Sequence, residues 1–179
     1  MAAKGWLVVG LGVALVAGLA ACCEAQYPMP EDMGLNYSVA IGAAVPIGHV
    51  EQSFAPMVSA AWYGSTGEDL GERAAIGLSV DWTLLRRTSG SDASLVPVLF
   101  NYKQYGIIGN YRVFVNFGLG VLAVSDDVPD MKLESGANFG WTGGLGFDLS
   151  NNLYGKVRYI GGKNPSDDGL IAVQLGYRF

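Results

Sequence analysis

The sequence predicts an all-β protein: an eight-stranded antiparallel up-and-down transmembrane β-barrel preceded by an N-terminal signal peptide. The last nine residues, 171–179, alternate apolar with small or polar side chains and end on Phe179, which is the period of a two-faced strand. Hydrophobic residues make up 50% of the chain and charged residues only 15%, against about 25% charged in ordinary soluble domains. No run of about 18 apolar residues follows the N-terminal region. A closed barrel is the other structure that crosses a bilayer with its backbone groups paired.

The N-terminal region has the pattern of a secretory signal. Lys4 provides a minimal positive charge, and the apolar run Trp6–Ala20 follows it. The run is short and no charged stop-transfer flank follows it, so we interpret 1–25 as a cleaved signal peptide. This leaves a short N-terminal segment, 26–34, and a barrel domain, 35–179.

A second interpretation exists for the same region. Leu19-Ala20-Ala21-Cys22 resembles a bacterial lipobox, which would make Cys22 a lipidation site. The alternative is that Cys22 merely belongs to the end of the signal peptide, and the barrel needs no lipid anchor. Cys22 and Cys23 are the only cysteines, so cleavage after residue 25 would leave a chain without disulfides.

Eight segments alternate bulky apolar with small or polar residues. They are 35–46, 55–64, 72–84, 94–104, 111–124, 137–149, 152–160 and the C-terminal 171–179. The interior of an eight-stranded barrel is just wide enough to be filled by side chains, so we expect the bulky faces outside and the small faces inside. In 94–104 the pattern does not clearly show which set of alternate side chains faces outward, and we take Val98 and Phe100 as outward. Substitutions on the inner face, such as Asn116→Ser or Gly144→Ser, are expected to be mild.

The connections and the aromatic residues also alternate. The longer, polar connections are Ile47–Phe54, Leu85–Asp92, Ser125–Gly136 and Gly161–Gly169, and the shorter ones are Ser65–Gly71, Tyr105–Asn110 and Ser150–Asn151. Outer-membrane barrels show this asymmetry, with short periplasmic turns and long outer loops. Aromatic residues are expected near both strand ends, where amphipathic rings prefer the membrane interfaces.

The terminal Val173–Phe179 and the hairpin Trp141–Tyr154 resemble small bacterial outer-membrane barrels of the OmpA/OmpX type over about 37–179. The resemblance implies location in the outer membrane and contact with outer-membrane lipid and lipopolysaccharide. It also implies that the barrel-assembly machinery recognises the C-terminal strand, with Tyr177 and Phe179 as the membrane insertion signal. We expect a monomer, and the acidic pI of about 4.7 argues against a nucleic-acid partner.

Several charged residues are expected inside the barrel. They are Arg73, Asp81, Lys103, Arg112, Asp148, Lys156, Arg158 and Arg178. They could form an ion path or a salt-bridged plug, and we favour the plug because buried charges must be paired. Acidic residues of the longer connections could bind divalent cations that bridge lipopolysaccharide, or could simply be solvated; these residues are Asp126, Asp127, Asp130, Glu134, Asp167 and Asp168. Their spacing matches no calcium-loop template, and we expect no bound metal and no cofactor.

The leading functional hypothesis is a non-enzymatic outer-membrane barrel with a structural or surface-interaction role and a lumen plugged by polar side chains. A second hypothesis is a lipid A-modifying enzyme. Lipid A deacylases have this architecture and use a His–Ser pair with an acidic partner. The segment 158–165 loosely resembles their seventh-strand region, but it lacks a His-x-Ser sequence. The sole histidine, His49, has Glu51 and Ser53 nearby, and we assign no catalytic residue. A surface lipoprotein acylated at Cys22 and a narrow pore are the remaining hypotheses.

Overall fold

Eight consecutive strands, each antiparallel to its neighbours, close into a barrel in the order β1 to β8. The strands are β1 Asn36–Ile47, β2 Ala55–Ser65, β3 Ala74–Leu85, β4 Ala93–Ile108, β5 Tyr111–Val124, β6 Gly136–Asp148, β7 Leu153–Gly161 and β8 Gly169–Arg178. The computed structural model describes residues 36–47, 55–65, 74–85, 92–127, 133–162 and 169–179. The predicted all-β, eight-stranded antiparallel barrel is therefore confirmed.

Pairing between the first and last strands closes the barrel. The register runs from Ser38 opposite Arg178 to Ile47 opposite Gly169. Beyond this ladder, the backbone N–H of Phe179 donates to the Tyr37 carbonyl at 2.9 Å. Closure leaves neither strand with a free edge, which is the main liability of an open sheet.

Alternation along each strand divides the side chains between the two faces as the sequence predicts. In β3, for example, Leu78, Val80 and Trp82 are exposed, while Ser79 and Asp81 are 1% exposed. The phase of β4 follows the prediction too, since the outward Val98 and Phe100 alternate with buried residues. The bulky apolar face lies outside and the mixed face lines the lumen.

The hairpin between β4 and β5 is longer than the sequence predicts. We expected a connection over Tyr105–Asn110, but Ile107 and Ile108 still pair with β5, and only Gly109 and Asn110 form the turn. Gly109 has φ of 61°, the positive value that a two-residue hairpin turn favours at its first central position. The ladder continues through Gly106, because a glycine in a strand weakens pairing without ending it.

In the part of the chain that the structure describes, no helix has the length and apolar character needed to cross a membrane. The predicted signal peptide with Cys22, the first long connection with His49, and Arg73 lie outside the described residues.

Candidate functional site

Nearly all the buried polar and charged side chains of the described residues line the interior of the barrel. We call the end with Asn36 and Phe179 the terminus end, and the opposite end the loop end. An apolar layer fills the lumen at the loop end. It consists of Ala44, Ala55, Met57, Leu85, Ala93, Leu95, Leu122, Val124, Leu133, Ile160, Leu170 and Ala172. Leu133 comes from the β5–β6 connection, so this connection contributes to closing the loop end.

A polar cluster occupies the middle of the lumen. Arg158 of β7 forms an ion pair with Asp81 of β3 across the barrel. Ser59 donates its hydroxyl to the same Asp81 oxygen, and the Gln174 amide donates to the Ser59 hydroxyl. Four polar atoms of this level have no hydrogen-bond partner among the described residues: Asp81 Oδ2, Thr83 Oγ1, Arg158 Nε and Gln174 Oε1.

An asparagine pair extends the polar level along β4 and β5. Asn116 donates to Asn101 at 3.1 Å, and Asn101 donates to the Ser79 hydroxyl at 2.9 Å. Asn101 also donates to the Leu99 carbonyl at 2.8 Å. These contacts tie three neighbouring strands together inside the lumen and satisfy most of the buried amide groups, as buried polar groups require.

The terminus end is charged and aromatic. Asp148 of β6 accepts from Arg112 of β5 and from Arg178 of β8 through its two carboxylate oxygens. The guanidinium carbon of Arg178 lies 4.7 Å from the centre of the Tyr154 ring. A ring pair, Tyr105 and Phe114 with centroids 5.6 Å apart, lies beside these charges.

Two lysines share this region, and no carboxylate of the described residues forms a salt bridge with them. Lys103 is 3% exposed and Lys156 5% exposed. The Lys103 ammonium lies 3.8 Å from the Tyr63 ring centre and 4.8 Å from that of Phe114. A desolvated cation–π contact contributes about 2 kcal/mol, whereas burying an ion costs several kcal/mol. The rings therefore offset only part of the cost of a buried ammonium.

The lumen is basic, although the chain as a whole is acidic. Among the described residues it buries five basic side chains and two acidic ones, while the full sequence carries a net charge of −5. The buried set comprises Asp81, Lys103, Arg112, Asp148, Lys156, Arg158 and Arg178. The structure thus brings together every predicted lumen charge that it describes, and sorts them into a middle level and a terminus-end level.

Sequence reasoning missed the bulky residues of the lumen, above all Tyr63, Tyr105, Phe114 and Tyr154. The Phe114 and Tyr154 rings fit because glycines face them on neighbouring strands. A Cβ atom on Gly146 would meet the Phe114 ring, and one on Gly176 would meet the Tyr154 ring. The alternation along β5 could have placed Phe114 inside the barrel, because Phe114 lies two positions from the inward Arg112 and two from the inward Asn116.

The outer surface carries aromatic residues near both barrel ends. At the terminus end Tyr37, Trp62 and Tyr177 are exposed, and Phe179 is 70% exposed. The Tyr177 and Phe179 rings meet edge to face at 5.1 Å.

At the loop end the Trp141 and Tyr159 rings are in contact, tilted by 38° with centroids 4.7 Å apart, and the Trp141 indole donates to the Gly162 carbonyl. Tyr159 covers Gly161 and Gly169, where a Cβ atom would collide with its ring. Trp82 and Phe139 are also exposed towards this end. These rings near the barrel ends occupy the two levels at which membrane interfaces would lie, whereas Phe100 and Phe117 are exposed near the middle of their strands.

The acidic residues of the longer connections are only partly described. Asp126, Asp127 and Glu134 lie in described positions, and Asp127 accepts a hydrogen bond from the Ser135 backbone at 2.6 Å. Asp130, Asp167 and Asp168 lie outside them. Across the described ranges, no group of three or more His, Cys, Asp or Glu side chains is arranged to hold a metal ion.

Comparison with known proteins identifies the fold. No protein-family model matches the sequence, and no curated protein matches it. Among solved structures, the outer membrane enzyme PagL superposes with a TM-score of 0.56 at 20% identity, covering 80% of this chain and 98% of PagL. OprG of Pseudomonas aeruginosa superposes with a TM-score of 0.52 at 12% identity, covering 86% of this chain and 99% of OprG.

The Yersinia pestis outer membrane protein Ail, determined in a phospholipid bilayer nanodisc, gives a TM-score of 0.51 at 16% identity. The match covers 80% of this chain and 99% of Ail. The chain therefore has the fold of the small outer-membrane β-barrels, as its resemblance to the OmpA/OmpX type implies. At these identities the fold is what is shared, and PagL is an enzyme, so the fold by itself does not decide between enzymatic and non-enzymatic roles.

Proposed function

We propose that this chain is a bacterial outer-membrane β-barrel with a closed lumen and a non-enzymatic structural or surface-interaction role. The observation that carries the proposal is the packing of the lumen, which has an apolar layer, a polar layer and a charged aromatic layer in succession. An eight-stranded barrel has little interior space beyond that filled by side chains. Its exposed connections and rim are then the surfaces left for interaction.

The outer face supports placement in a membrane. Bulky apolar side chains are exposed on every strand, among them Ile41, Val58, Leu78, Phe100, Phe117, Leu145, Leu153 and Leu175. Soluble proteins rarely expose contiguous apolar patches larger than a few hundred Å². Contact with lipid is the environment in which such a surface is stable.

The route to the membrane follows from the sequence. The signal peptide 1–25 would direct export, the segment 26–34 would precede the barrel, and 35–179 would insert as a monomer. The assembly machinery would recognise the C-terminal strand through Tyr177 and Phe179. The mature barrel would contact outer-membrane lipid and lipopolysaccharide. If Cys22 were acylated instead, mass spectrometry of the mature N-terminus would find diacylglycerol on that residue.

The superposition on PagL favours a second candidate, a lipid A-modifying enzyme. Its catalytic groups would have to come from the rim, since the described residues provide no His–Ser pair with an acid. His49, Glu51 and Ser53, which lie close in sequence, are the residues to test. This candidate requires a change in the acyl chains of lipid A.

Two measurements on the purified and expressed protein test the proposal. We expect little or no steady conductance in planar bilayers, and no change in lipid A mass when the protein is expressed in a host lacking its own modifying enzymes. A stable ion current would establish the narrow pore. A shift in lipid A mass that disappears in His49→Ala would establish the enzyme and locate its site.

A further inference from the structure

A small cavity lies at the terminus end of the lumen, between residues of β1, β2, β3, β4 and β8. Its volume is about 10 Å³, and its lining includes Ser38, Tyr63, Lys103, Tyr105 and Arg178. A cavity of that volume holds about one water-sized particle. The cavity is therefore suited to a single small ion or molecule.

The walls of the cavity are cationic. Lys103 is 3% exposed and Arg178 is 8% exposed, so both basic side chains are largely removed from water. The Arg178 guanidinium, which carries five N–H groups, donates to Asp148 through one nitrogen. The hydroxyls of Ser38, Tyr63 and Tyr105 add further groups that can donate hydrogen bonds. Cations together with hydroxyl donors are the partners that an anion requires.

The surrounding carboxylates do not neutralise this charge. Asp148 is shared between Arg112 and Arg178, and Asp81 is engaged by Arg158. Lys156 adds another positive charge nearby, with its ammonium 5.8 Å from the Tyr154 ring centre. The basic excess of the lumen therefore falls at the level of the cavity, where a counter-charge would be most stabilising.

We propose that this cavity binds one chloride-sized monovalent inorganic anion between Lys103 and Arg178. The anion completes the closure of the terminus end by neutralising the charge that the protein's own carboxylates leave uncompensated. The inference concerns the interior of the barrel and does not depend on the surface role proposed above.

Chloride dependence of stability tests the site. The protein is folded in zwitterionic detergent micelles and unfolded with urea, while sodium chloride replaces sodium gluconate at constant ionic strength. We expect the urea midpoint to rise steadily with chloride, because a ligand that binds only the folded state multiplies the folding equilibrium constant by one plus its concentration over Kd. At 100 times Kd the gain is about 100-fold.

A matched pair of lysine variants locates the effect. Lys103→Met, which removes the cavity lysine, should abolish the chloride dependence. Lys156→Met removes a lysine that is also buried in the lumen but does not line the cavity, and should keep the dependence. Equal loss in both variants would overturn the site, as would a wild-type midpoint that is the same in chloride and gluconate.

Bromide provides a direct readout that does not require a variant to fold. Crystals of the wild-type barrel grown in sodium bromide should show an anomalous peak between Lys103 and Arg178. Absence of this peak at saturating bromide would overturn the proposal, whatever the result of the stability measurements.

Discussion

Two carboxylates, Asp81 and Asp148, organise the arginines inside the lumen. Each lies on a strand different from those of its partners: Asp81 links β3 to β7, and Asp148 links β6 to β5 and to β8. Opposite charges in a region of low dielectric attract strongly, but both carry a large desolvation cost. Loss of one partner is therefore expected to be worse than replacement of both.

A double-mutant cycle on Arg158 and Asp81 tests this expectation. Arg158→Met alone leaves the Asp81 carboxylate buried without its cation, and we expect a loss of about 3–5 kcal/mol in the free energy of unfolding. Arg158→Met combined with Asp81→Leu should recover most of this loss. The measurement is urea unfolding of the folded barrel in lipid vesicles. An equal or larger loss in the double variant would contradict the role of the pair.

The two faces of β5 and β6 give a second prediction at the residue scale. Leu145 is 65% exposed on the outer face of β6. Leu145→Arg should cost about 2–4 kcal/mol of folding free energy in vesicles, since a cation would lie within the membrane. Asn116→Ser, on the lumen face of β5, is the control and should cost less. Equal damage from both would mean that the outer face does not contact lipid.

Gly144→Ser is not a suitable lumen control, contrary to the sequence-based expectation. A Cβ atom at Gly144 would lie 2.7 Å from the Val157 carbonyl oxygen and 2.9 Å from the Arg158 Cα. Both are backbone atoms of the adjacent strand, so no side-chain rotation relieves the contact. Overpacking of this kind typically costs about 1–3 kcal/mol.

Among the structural elements, β8 closes the barrel by pairing with β1. Its end is held by the Phe179 N–H to the Tyr37 carbonyl and by Asn152, whose backbone carbonyl accepts from the Arg178 N–H at 2.7 Å. The Asn152 side chain also donates to the Arg178 carbonyl at 2.8 Å. The C-terminal residues are thus bound on both sides, while the Phe179 ring stays exposed.

The exposed terminal ring carries the prediction for this element. Phe179→Asp, or deletion of Phe179, should reduce insertion into the outer membrane more than it reduces export, as measured by fractionation and protease accessibility. Tyr37→Asp is the matched control, because Tyr37 is outward, 59% exposed and at the same end. Similar defects in both variants would indicate a general effect of charge at the interface. Normal insertion of the Phe179 variants would falsify the sorting role.

For the whole molecule, closure of the ladder is the dominant property. Every strand pairs with two neighbours, so the backbone groups of the strands satisfy one another without help from water. Detergent cannot offer replacement hydrogen bonds, and unfolding has to open the entire ring. The absence of cysteine from 36–179 fits a protein stabilised in this way rather than by disulfides.

Heat modifiability tests this property of the whole barrel. Unboiled protein should migrate on a detergent gel at an apparent mass different from that of the boiled protein, because the closed ladder resists the detergent until it is heated. Val115→Pro, within β5, should abolish the shift, since proline removes a ladder N–H. Identical migration before and after boiling, with release into the soluble fraction, would argue against a membrane barrel.

The sequence by itself determined the number of strands, most of their bounds and which side chains face outward. These features depend on a period of two within each strand, which is a local property and can be read without knowing the strand's partners. The inward placement of Lys103, Arg112 and Asp148 follows from the same parity. The sequence predicts a connection over Tyr105–Asn110, but β4 continues to Ile108, because its last residues are held by pairing with β5.

Only the tertiary structure decided the arrangement inside the lumen. That Asp148 binds both Arg112 and Arg178, that Phe114 lies against Gly146, and that a cavity forms beside Lys103 all depend on register between strands. Register is set by closure of the whole ring, in which residues far apart in sequence become neighbours, such as Tyr154 and Ser38, 116 positions apart. Local periodicity assigns a side chain to the lumen, but the partner that it meets there is a property of the closed barrel.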